Sequence, residues 1–387
     1  MTLDDLARVS FWGAIALVGY SYAIYPLLLA LLSRVIAKPR ITPGSPSASP
    51  LEVACIVSAF NEERHIAQRI SNFLAQDVPG VRLKVYVGSD GSSDRTGQII
   101  ASLASEQVVA LVFERNRGKA SVLNDLVAAC HEPVLIFSDA NTMFEPGAIR
   151  ALLAPMVDPT VGVTCGELRL LASHGNNQDS VYWRYEQYLK RTEASIGGLL
   201  GANGAIYAIR RQHVQPLPAN WINDDFRIAM DAAASGARLV YVPEALAVEE
   251  TPDHIHEEYR RRVRIGIGNF QAFFGRPEYL LQTNWATRFA YVSHKVLRWF
   301  TPHLMLLALV TSTWLASRST LYLGLAVLQW ATYGLSAVHQ RIKPDAPLPK
   351  LAKLVVFFIT LNWAFAVAYW RYVTGRYSGS WRSTQRN

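Results

Sequence analysis

Several side chains with oxygen atoms follow predicted strands, where they could bind a metal ion or a ligand. Asp90 and Asp139 each come directly after an apolar stretch with the pattern of a strand, and Asn141 lies two positions after Asp139. Mg²⁺ and Mn²⁺ prefer oxygen ligands, so Asp139 is a candidate metal ligand. An aspartate at a strand end is also a common turn former. Lys119 could neutralise a phosphate group as a point charge, or it could merely open a surface helix.

Strand and helix patterns alternate around these residues. The predicted order is strand Val53–Ser58, helix Glu63–Ala75, strand Lys84–Gly88, helix Thr96–Ser105, strand Val108–Phe113, helix Lys119–Ala129 and strand Pro133–Ser138. Such alternation predicts an α/β domain with a mostly parallel sheet. Ligands of such sheets bind beyond the carboxyl ends of the strands, where Asn61, Glu62, Asp90 and Asp139 fall.

The composition places this domain beside a membrane. The 387 residues are 50% hydrophobic and only 18% charged, which excludes intrinsic disorder, collagen and small disulfide scaffolds. Uncharged apolar runs occupy Phe11–Leu32, Trp299–Ser317, Ser319–Val338 and Leu354–Trp370. A helix needs about 20 residues to cross the hydrocarbon layer. The runs therefore predict about four membrane helices around one soluble domain.

Charges beside the first run predict the orientation. Arg34, Lys38 and Arg40 follow it, and cationic flanks favour the cytoplasmic side, so we expect the large domain in the cytoplasm and the chain in the inner membrane. Three crossings after that domain would leave the tail outside, although it carries Arg371, Arg376, Arg382 and Arg386. The last run contains Asn362 and could be re-entrant. The cysteines lack metal-site spacing and are expected to be reduced core residues: Cys55, Cys130 and Cys165.

Ordered motifs give a more specific indication. The segments Ser58–Glu63, Ser89–Asp94, Asn116–Ala120, Ser138–Asn141, Gly201–Ala205 and Asn223–Phe226 resemble, in order, the motifs of family-2 glycosyltransferases. Arg261–Arg264 stands where processive members carry Gln-x-x-Arg-Trp. With the membrane helices, the resemblance extends to membrane-bound polysaccharide synthases of the cellulose, hyaluronan and chitin-oligosaccharide type. It implies a glycosyltransferase-A-like, Rossmann-like cytoplasmic domain.

The resemblance also assigns binding roles. Donor-binding residues would be Ala59, Asn61, Glu62, Asp90, Lys119, Asp139 and Arg261, with Asp90 accepting a hydrogen bond from the uracil or ribose. Acceptor-binding residues would be Gly201, Asn203, Gly204 and Asp224. Asp139 and Asn141 would hold Mg²⁺ or Mn²⁺, although Asn141 replaces the second acid of the family's Asp-x-Asp. Asp94 is better explained as a cap of the following helix than as a ligand.

Catalysis would fall to two further residues. The family places its general base directly before a hydrophobic residue, here Phe226, which favours Asp225 over Asp224. Arg264 would stabilise the negative charge that develops on the departing nucleoside diphosphate, unless the basic run faces lipid headgroups. A single displacement would invert the anomeric centre. Ile265 replaces the tryptophan of processive synthases, so single-sugar addition competes with chain extension.

The predicted function is transfer of a sugar, most simply from a uridine diphosphate sugar, to a saccharide or lipid-linked acceptor in exopolysaccharide or glycolipid synthesis. The partners would be donor, acceptor, membrane lipids and other polysaccharide-assembly proteins, with no nucleic acid. The alternative is a catalytically silent membrane scaffold that assists a partner synthase, which Asn141 and Ile265 would suit. A transporter is disfavoured by the absence of charged residues within the runs.

Weaker patterns have simpler explanations. His254 and His256 beside two glutamates could suggest a metal, but a solvated loop is favoured. Trp183, Tyr185 and Tyr188 could stack on sugars or pack a core. The expected domains are an anchor (1–40), a linker (41–50), a catalytic domain (51–275), an interfacial amphipathic helix (276–298), membrane helices (299–372) and a basic tail (373–387).

Overall fold

The computed structural model describes residues 1–36, 41–42, 50–171, 177–250, 255–342 and 348–378, with the side chains at 171, 177–183, 250, 255–258 and 342 left out. Some sequence predictions lie outside the described residues. They concern most of the linker, Lys38 and Arg40, the side chain of Trp183, His254 with the side chain of His256, and the tail arginines Arg382 and Arg386.

Strands and helices are numbered separately along the chain. The strands of the described residues are β1 (Leu51–Ala59), β2 (Val81–Asp90), β3 (Val108–Phe113), β4 (Val134–Phe137), β5 (Met143–Phe144), β6 (Val161–Leu171), β7 (Tyr207–Arg210) and β8 (Arg238–Glu250). The α-helices are α1 (Leu3–Gly19), α2 (Tyr25–Val35), α3 (Ile66–Leu74), α4 (Thr96–Ser102), α5 (Lys119–Ala129), α6 (Ala148–Leu153), α7 (Asn177–Ser195), α8 (Asp224–Ala234), α9 (Ile255–Gly275), α10 (Glu278–Leu281), α11 (Trp285–Ala290), α12 (Leu297–Leu315), α13 (Thr320–Ile342) and α14 (Lys350–Val373).

The eight strands form one mixed sheet in the order β3-β2-β1-β4-β7-β6-β8-β5. The pairs β1–β2, β2–β3, β1–β4 and β6–β8 are parallel, whereas β7 runs antiparallel to both β4 and β6. The predicted mostly parallel α/β sheet is confirmed. Strand β3 and helix α5 have the predicted bounds, because their apolar patterns and flanking turn residues define both ends.

The continuous apolar character of β1 follows from its central place in the sheet. Every residue from Val53 to Ala59 is buried, as expected for a parallel strand that is covered on both faces. Strands β1, β2 and β4 run in the same direction, so their carboxyl ends meet at one edge. The loops that carry Asn61, Asp90 and Asp139 therefore lie together at that edge.

Backbone contacts divide the chain into two units. The helical unit contains Met1–Ala30, Ile255–Gly275 and Tyr291–Tyr377, and the sheet unit contains Leu31–His254, Arg276–Ala290 and Ser378–Asn387. The three cysteines of the chain are all buried, which confirms their expected place in the core.

Three helices of the described residues are long and apolar enough to cross a membrane: Leu3–Val35, Thr320–Arg341 and Lys350–Val373. Helix α12 covers the remaining predicted segment, but its second residue is Arg298 and it contains Pro302 and His303, which lower its mean hydropathy. Within the helical unit, Phe11 and Ala14 of α1 pack against Ala308 of α12, and the Trp12 indole donates to the Tyr322 hydroxyl at 3.1 Å.

Helix α9 differs from its predicted place in the catalytic domain, since its contacts assign it to the helical unit. Gly266 allows the close approach, because a Cβ there would lie 2.7 Å from the Cβ of Ala368 on α14. The Phe270 ring meets Phe300 and Tyr369 edge-on, with centroid separations of 5.6 and 5.2 Å. The contacts with α14 arise over a sequence separation of about one hundred residues, which local pattern does not reveal.

The expected single interfacial helix over 276–298 is broken. Helices α10 and α11 are separate, and a π-helical stretch, Tyr291–Val296, leads from α11 into α12. Leu281 and Trp285 are nevertheless exposed, so this segment has apolar side chains on its surface, as an amphipathic helix would.

Candidate active site

Two carboxylates converge on the backbone at Gly204. Helix α8 begins at Asp224, and the next residue, Asp225, accepts the Gly204 N–H on Oδ2 at 2.8 Å and the Phe226 N–H on Oδ1 at 2.7 Å. A Cβ on Gly204 would lie 3.2 Å from the Asp225 Oδ2 and 3.6 Å from the Asp139 Oδ2. The missing side chain of Gly204 thus leaves a hollow that both carboxylates line.

Asp225 has the electrostatic surroundings of a base. Burial, and then the neighbouring charge of Asp224, raise the pKa of Asp225 to about 6, while Lys119 opposes the rise. A carboxylate with this pKa is ionised at neutral pH and is still basic enough to take a proton. These surroundings suit the role predicted for Asp225, and its assignment as base in preference to Asp224 stays a prediction.

Lys119 lies among the acids as a fixed positive charge. Its Nζ is 2.8 Å from the Asp139 Oδ1 and 3.3 Å from the Asp224 Oδ2. Burial lowers the pKa of Lys119, but the two carboxylates outweigh burial and raise it above its ordinary value. Asp224 is itself buried and held in this ion pair. The contacts of Lys119 are thus with the site's own carboxylates, and its contact with donor phosphate stays a prediction.

Two buried residues near the carboxylates were not identified from the sequence, and the first is Tyr207. Its ring stacks on Phe137 with the centroids 5.0 Å apart. Burial, followed by the charges of Asp224, Asp225 and Asp139, raises the pKa of Tyr207 well above the ordinary value.

Arg69 is the second. It is fully buried, with its guanidinium 3.6 Å from the Phe73 ring centroid and 4.2 Å from that of Phe144. Burial lowers the pKa of Arg69 to about 9, and Cys55 and Asp139 counter that fall. A lone arginine or tyrosine in an apolar stretch carries no spacing that would have marked it.

The acidic edge has the donor atoms of a hard metal site. Asp139 supplies carboxylate oxygens at the Gly204 hollow, and Asn141 lies in the same turn, with its Nδ2 donating to the Glu249 Oε1 at 2.9 Å. Among the described residues, no three His, Cys, Asp or Glu side chains form a metal-holding group by themselves. Mg²⁺ sites often use one or two carboxylates and complete their coordination with substrate phosphates and water. The residues fit a metal of that kind.

The Asp90 side chain holds the loop that precedes α5 in place through hydrogen bonds. Its side chain is fully buried, and its oxygens accept the backbone N–H groups of Arg117 and Gly118 at 2.8 and 2.9 Å. Gly91, at φ +65°, lies so close to this loop that a Cβ would come 2.4 Å from the backbone of Arg115. Asp90 thereby positions the start of the Lys119 helix, and its direct bond to a base or ribose stays a prediction.

Hydrogen bonds join the loop after β1, which carries Asn61 and Glu62, to the loop after β2. Asn61 has φ +55°, a conformation that asparagine tolerates, and its Oδ1 accepts the Ser93 N–H at 2.8 Å. The Glu62 N–H donates to the Thr96 hydroxyl at 2.8 Å. Asp94 accepts the Thr96 N–H at 2.9 Å at the start of α4, which agrees with its predicted capping role. Ala59 is fully buried, and its contact with a donor stays a prediction.

The predicted acceptor loop is held against the same cluster. The Ser138 hydroxyl donates to the Ala205 carbonyl at 2.7 Å, which ties the loop to the end of β4. Gly201 has φ +69° and packs on Phe226, where a Cβ would meet the ring at 2.6 Å. The Asn203 N–H donates to the Cys165 Sγ at 3.2 Å. Gly204 is the residue of this loop whose N–H donates to Asp225.

The arginines that the sequence assigned to donor binding and catalysis, Arg261 and Arg264, belong to the helical unit. Arg261 and Arg264 lie on α9 in the helical unit, together with Ile265, which is 40% exposed. Their roles toward a donor stay predictions.

Comparison with known proteins identifies the catalytic domain. Residues 54–214 match the family model described as Glycosyl transferase family 2. The matched segment, residues 54–214, is a family-2 glycosyltransferase domain. An N-acetylglucosaminyltransferase of Rhizobium leguminosarum bv. viciae is 23% identical over 296 residues, which cover 70% of this chain and 67% of the relative. A poly-beta-1,6-N-acetyl-D-glucosamine synthase of Staphylococcus aureus (strain COL) is 22% identical over 227 residues, or 57% of this chain and 55% of the relative.

The sequence matches cover roughly half to two thirds of the length of these curated relatives. A solved structure extends the likeness in fold over nearly the whole chain. A mannosyltransferase from Pyrobaculum calidifontis, in complex with GDP-Man and Mn²⁺, superposes with a TM-score of 0.71 at 20% identity and covers 94% of this chain and 98% of its own. The glycosyltransferase-A fold and the similarity to polysaccharide synthases are thereby confirmed.

Proposed function

We propose that the chain transfers a sugar from a uridine diphosphate sugar to a saccharide or lipid-linked acceptor at the cytoplasmic face of the inner membrane, with inversion at the anomeric carbon. The observation that carries the proposal is the convergence of Asp139 and Asp225 on the hollow at Gly204. The named N-acetylglucosaminyltransferase relatives favour an N-acetylhexosamine as the transferred sugar.

In this mechanism, Asp225 accepts the proton of the acceptor hydroxyl. The hydroxyl oxygen attacks the anomeric carbon, the bond from that carbon to the donor phosphate breaks, and the nucleoside diphosphate leaves with the electron pair. The raised pKa of Asp225 supports its role as base, and its two backbone hydrogen bonds fix the carboxylate in place.

Asp139 and Asn141 would hold a divalent cation. Such an ion neutralises the charge of the donor diphosphate. The mannosyltransferase of the same fold was solved with Mn²⁺, which agrees with the oxygen donors present here. Lys119 would add a positive charge between Asp139 and Asp224, and Arg264 is the candidate for stabilising the leaving diphosphate because of its place in the motif order.

The test is a donor panel. Purified full-length protein in detergent is incubated with radiolabelled UDP-N-acetylglucosamine, UDP-glucose and GDP-mannose together with membrane lipids and oligosaccharides. We expect transfer from a uridine donor in the wild type and loss of at least about a hundredfold in Asp225→Asn, with donor binding retained. Transfer from GDP-mannose alone would overturn the donor assignment. Undiminished transfer by folded Asp225→Asn would overturn the assigned base.

The alternative function, a catalytically silent scaffold, predicts the opposite result of the donor panel. It requires no transfer from any donor by a folded protein that still binds a partner synthase. The pKa of Asp225 favours the enzyme. A buried carboxylate whose pKa is raised to about 6 lowers the stability of the folded chain at neutral pH, and a scaffold gains nothing from that loss.

A further inference from the structure

Glu249 and Asn141 form a contact that the motif pattern does not include. Asn141 lies in the turn after β4, and Glu249 lies near the end of β8, 108 positions later in the chain. The short strand β5 pairs antiparallel with β8, with Met143 opposite Val248, and this pairing brings the two side chains together. The Asn141 Nδ2 donates to the Glu249 Oε1 at 2.9 Å.

This hydrogen bond fixes the orientation of the Asn141 amide. A carboxylate only accepts hydrogen bonds, so the amide must turn its nitrogen toward Glu249. The Asn141 Oδ1 is attached to the other side of the same amide carbon and therefore points away from Glu249. An amide oxygen is a ligand that hard divalent cations accept.

The contact also changes the local charge. A motif with Asn141 has one carboxylate where Asp-x-Asp has two, and Glu249 returns a second negative charge within one hydrogen bond of the motif. An aspartate at 141 would instead place two carboxylates against each other in a half-buried site. Asparagine and glutamate at these two positions are therefore complementary.

We propose that Glu249 is a positioning residue for the metal site, which holds the Asn141 oxygen available as a ligand and supplies the charge that Asn141 lacks. This inference rests on the proposed function, because it concerns the same metal. It predicts coupling between two residues that are far apart in sequence.

The test measures Mn²⁺ binding alone, by electron paramagnetic resonance, on metal-free full-length protein in detergent. We expect Glu249→Ala to weaken Mn²⁺ binding by about 10- to 100-fold, as is typical for residues that orient metal ligands. Glu249→Gln should lose less, because its amide oxygen can still accept from Asn141. The matched control is Glu244→Gln, an exposed glutamate on the same strand, which should bind Mn²⁺ as the wild type does.

The decisive variants are Asn141→Asp and the double variant Asn141→Asp/Glu249→Gln. In the Asn141→Asp background, the amide that Glu249→Gln introduces can donate to the new carboxylate. Glu249→Gln should therefore cost nothing there, although it weakens Mn²⁺ binding beside Asn141. An equal loss in both backgrounds, or wild-type affinity in Glu249→Ala, would refute the inference. Asp139→Ala distinguishes a failure of the Glu249 inference from a failure of the proposed function. If this variant too binds Mn²⁺ as the wild type does, the metal site of the proposed function is refuted as well.

Discussion

The raised pKa of Asp225 makes a quantitative prediction for the stability of the sheet unit. The pKa rises from an ordinary 3.8 to about 6 in the folded chain, a difference of about two units. One unit corresponds to about 1.36 kcal/mol, so ionised Asp225 costs up to about 3 kcal/mol at neutral pH. The site is partly open to solvent, which makes this figure an upper bound.

The sign follows from proton binding. Between about pH 4 and pH 6 the folded state binds more protons at Asp225 than the unfolded state does, so the free energy of unfolding falls as pH rises through this window. Asp225→Asn removes this contribution. The stability of the variant relative to the wild type should therefore increase by about 2 kcal/mol between pH 4 and pH 7.

Thermal unfolding in detergent at pH 4, 5, 6 and 7 measures this difference. At roughly 2–4 °C per kcal/mol for a domain of this size, the melting temperature of Asp225→Asn should gain about 5 °C on the wild type across the range. Asp77→Asn, which removes an exposed carboxylate, is the control and should show no such trend. The same group should make kcat/KM fall below about pH 6 in the wild type. A constant offset between Asp225→Asn and wild type at every pH would refute the assigned pKa.

Two further predictions concern the surroundings of the base. Gly204→Ala fills the hollow within 3.2 Å of the Asp225 carboxylate, so we expect at least a tenfold loss of transfer with a melting temperature near that of wild type. Gly201→Ala should instead unfold several degrees lower, because it adds strain at φ +69° and a 2.6 Å clash; the reverse pattern would contradict both assignments. Lys119→Gln removes the cation that lies 2.8 Å from the Asp139 carboxylate and should lower the melting temperature, and Mn²⁺ should raise that temperature more strongly than in wild type. Equal Mn²⁺ effects in both proteins would show that Lys119 and the metal do not share a site.

Much of the α/β architecture could be predicted from local pattern. The buried strands are continuous apolar runs, and helix α5 begins after Gly118, whose φ of +89° marks the turn before it. The meeting of Asp90 and Asp139 at one edge follows from the parallel direction of β1, β2 and β4. Geometry of this kind depends only on strand order, which short connections restrict to few choices.

The roles of individual side chains were harder to predict. Asp90 has the position of a ligand, but only the folded chain reveals that both its oxygens hold backbone N–H groups of the next loop. Tyr207 and Arg69 are buried where the charges of the carboxylates act on their pKa values, and no spacing in the sequence encodes that proximity. Helix α9 was placed with the catalytic motifs by sequence order, whereas packing of Gly266 on Ala368 places it with the helical unit.

The two departures from the family pattern carry different weight once their surroundings are known. Asn141 alone would argue for a weakened metal site, and hence for a silent scaffold. The Glu249 carboxylate accepts a hydrogen bond from its amide at 2.9 Å and so places a second acidic group beside the motif, which weakens the case that the substitution alone makes for loss of function. Ile265 differs, because it is 40% exposed on α9 and an aliphatic side chain cannot stack on a sugar as tryptophan does. Taken with the proposed function, the two departures predict an active transferase that adds single sugars, rather than a silent protein or a processive synthase.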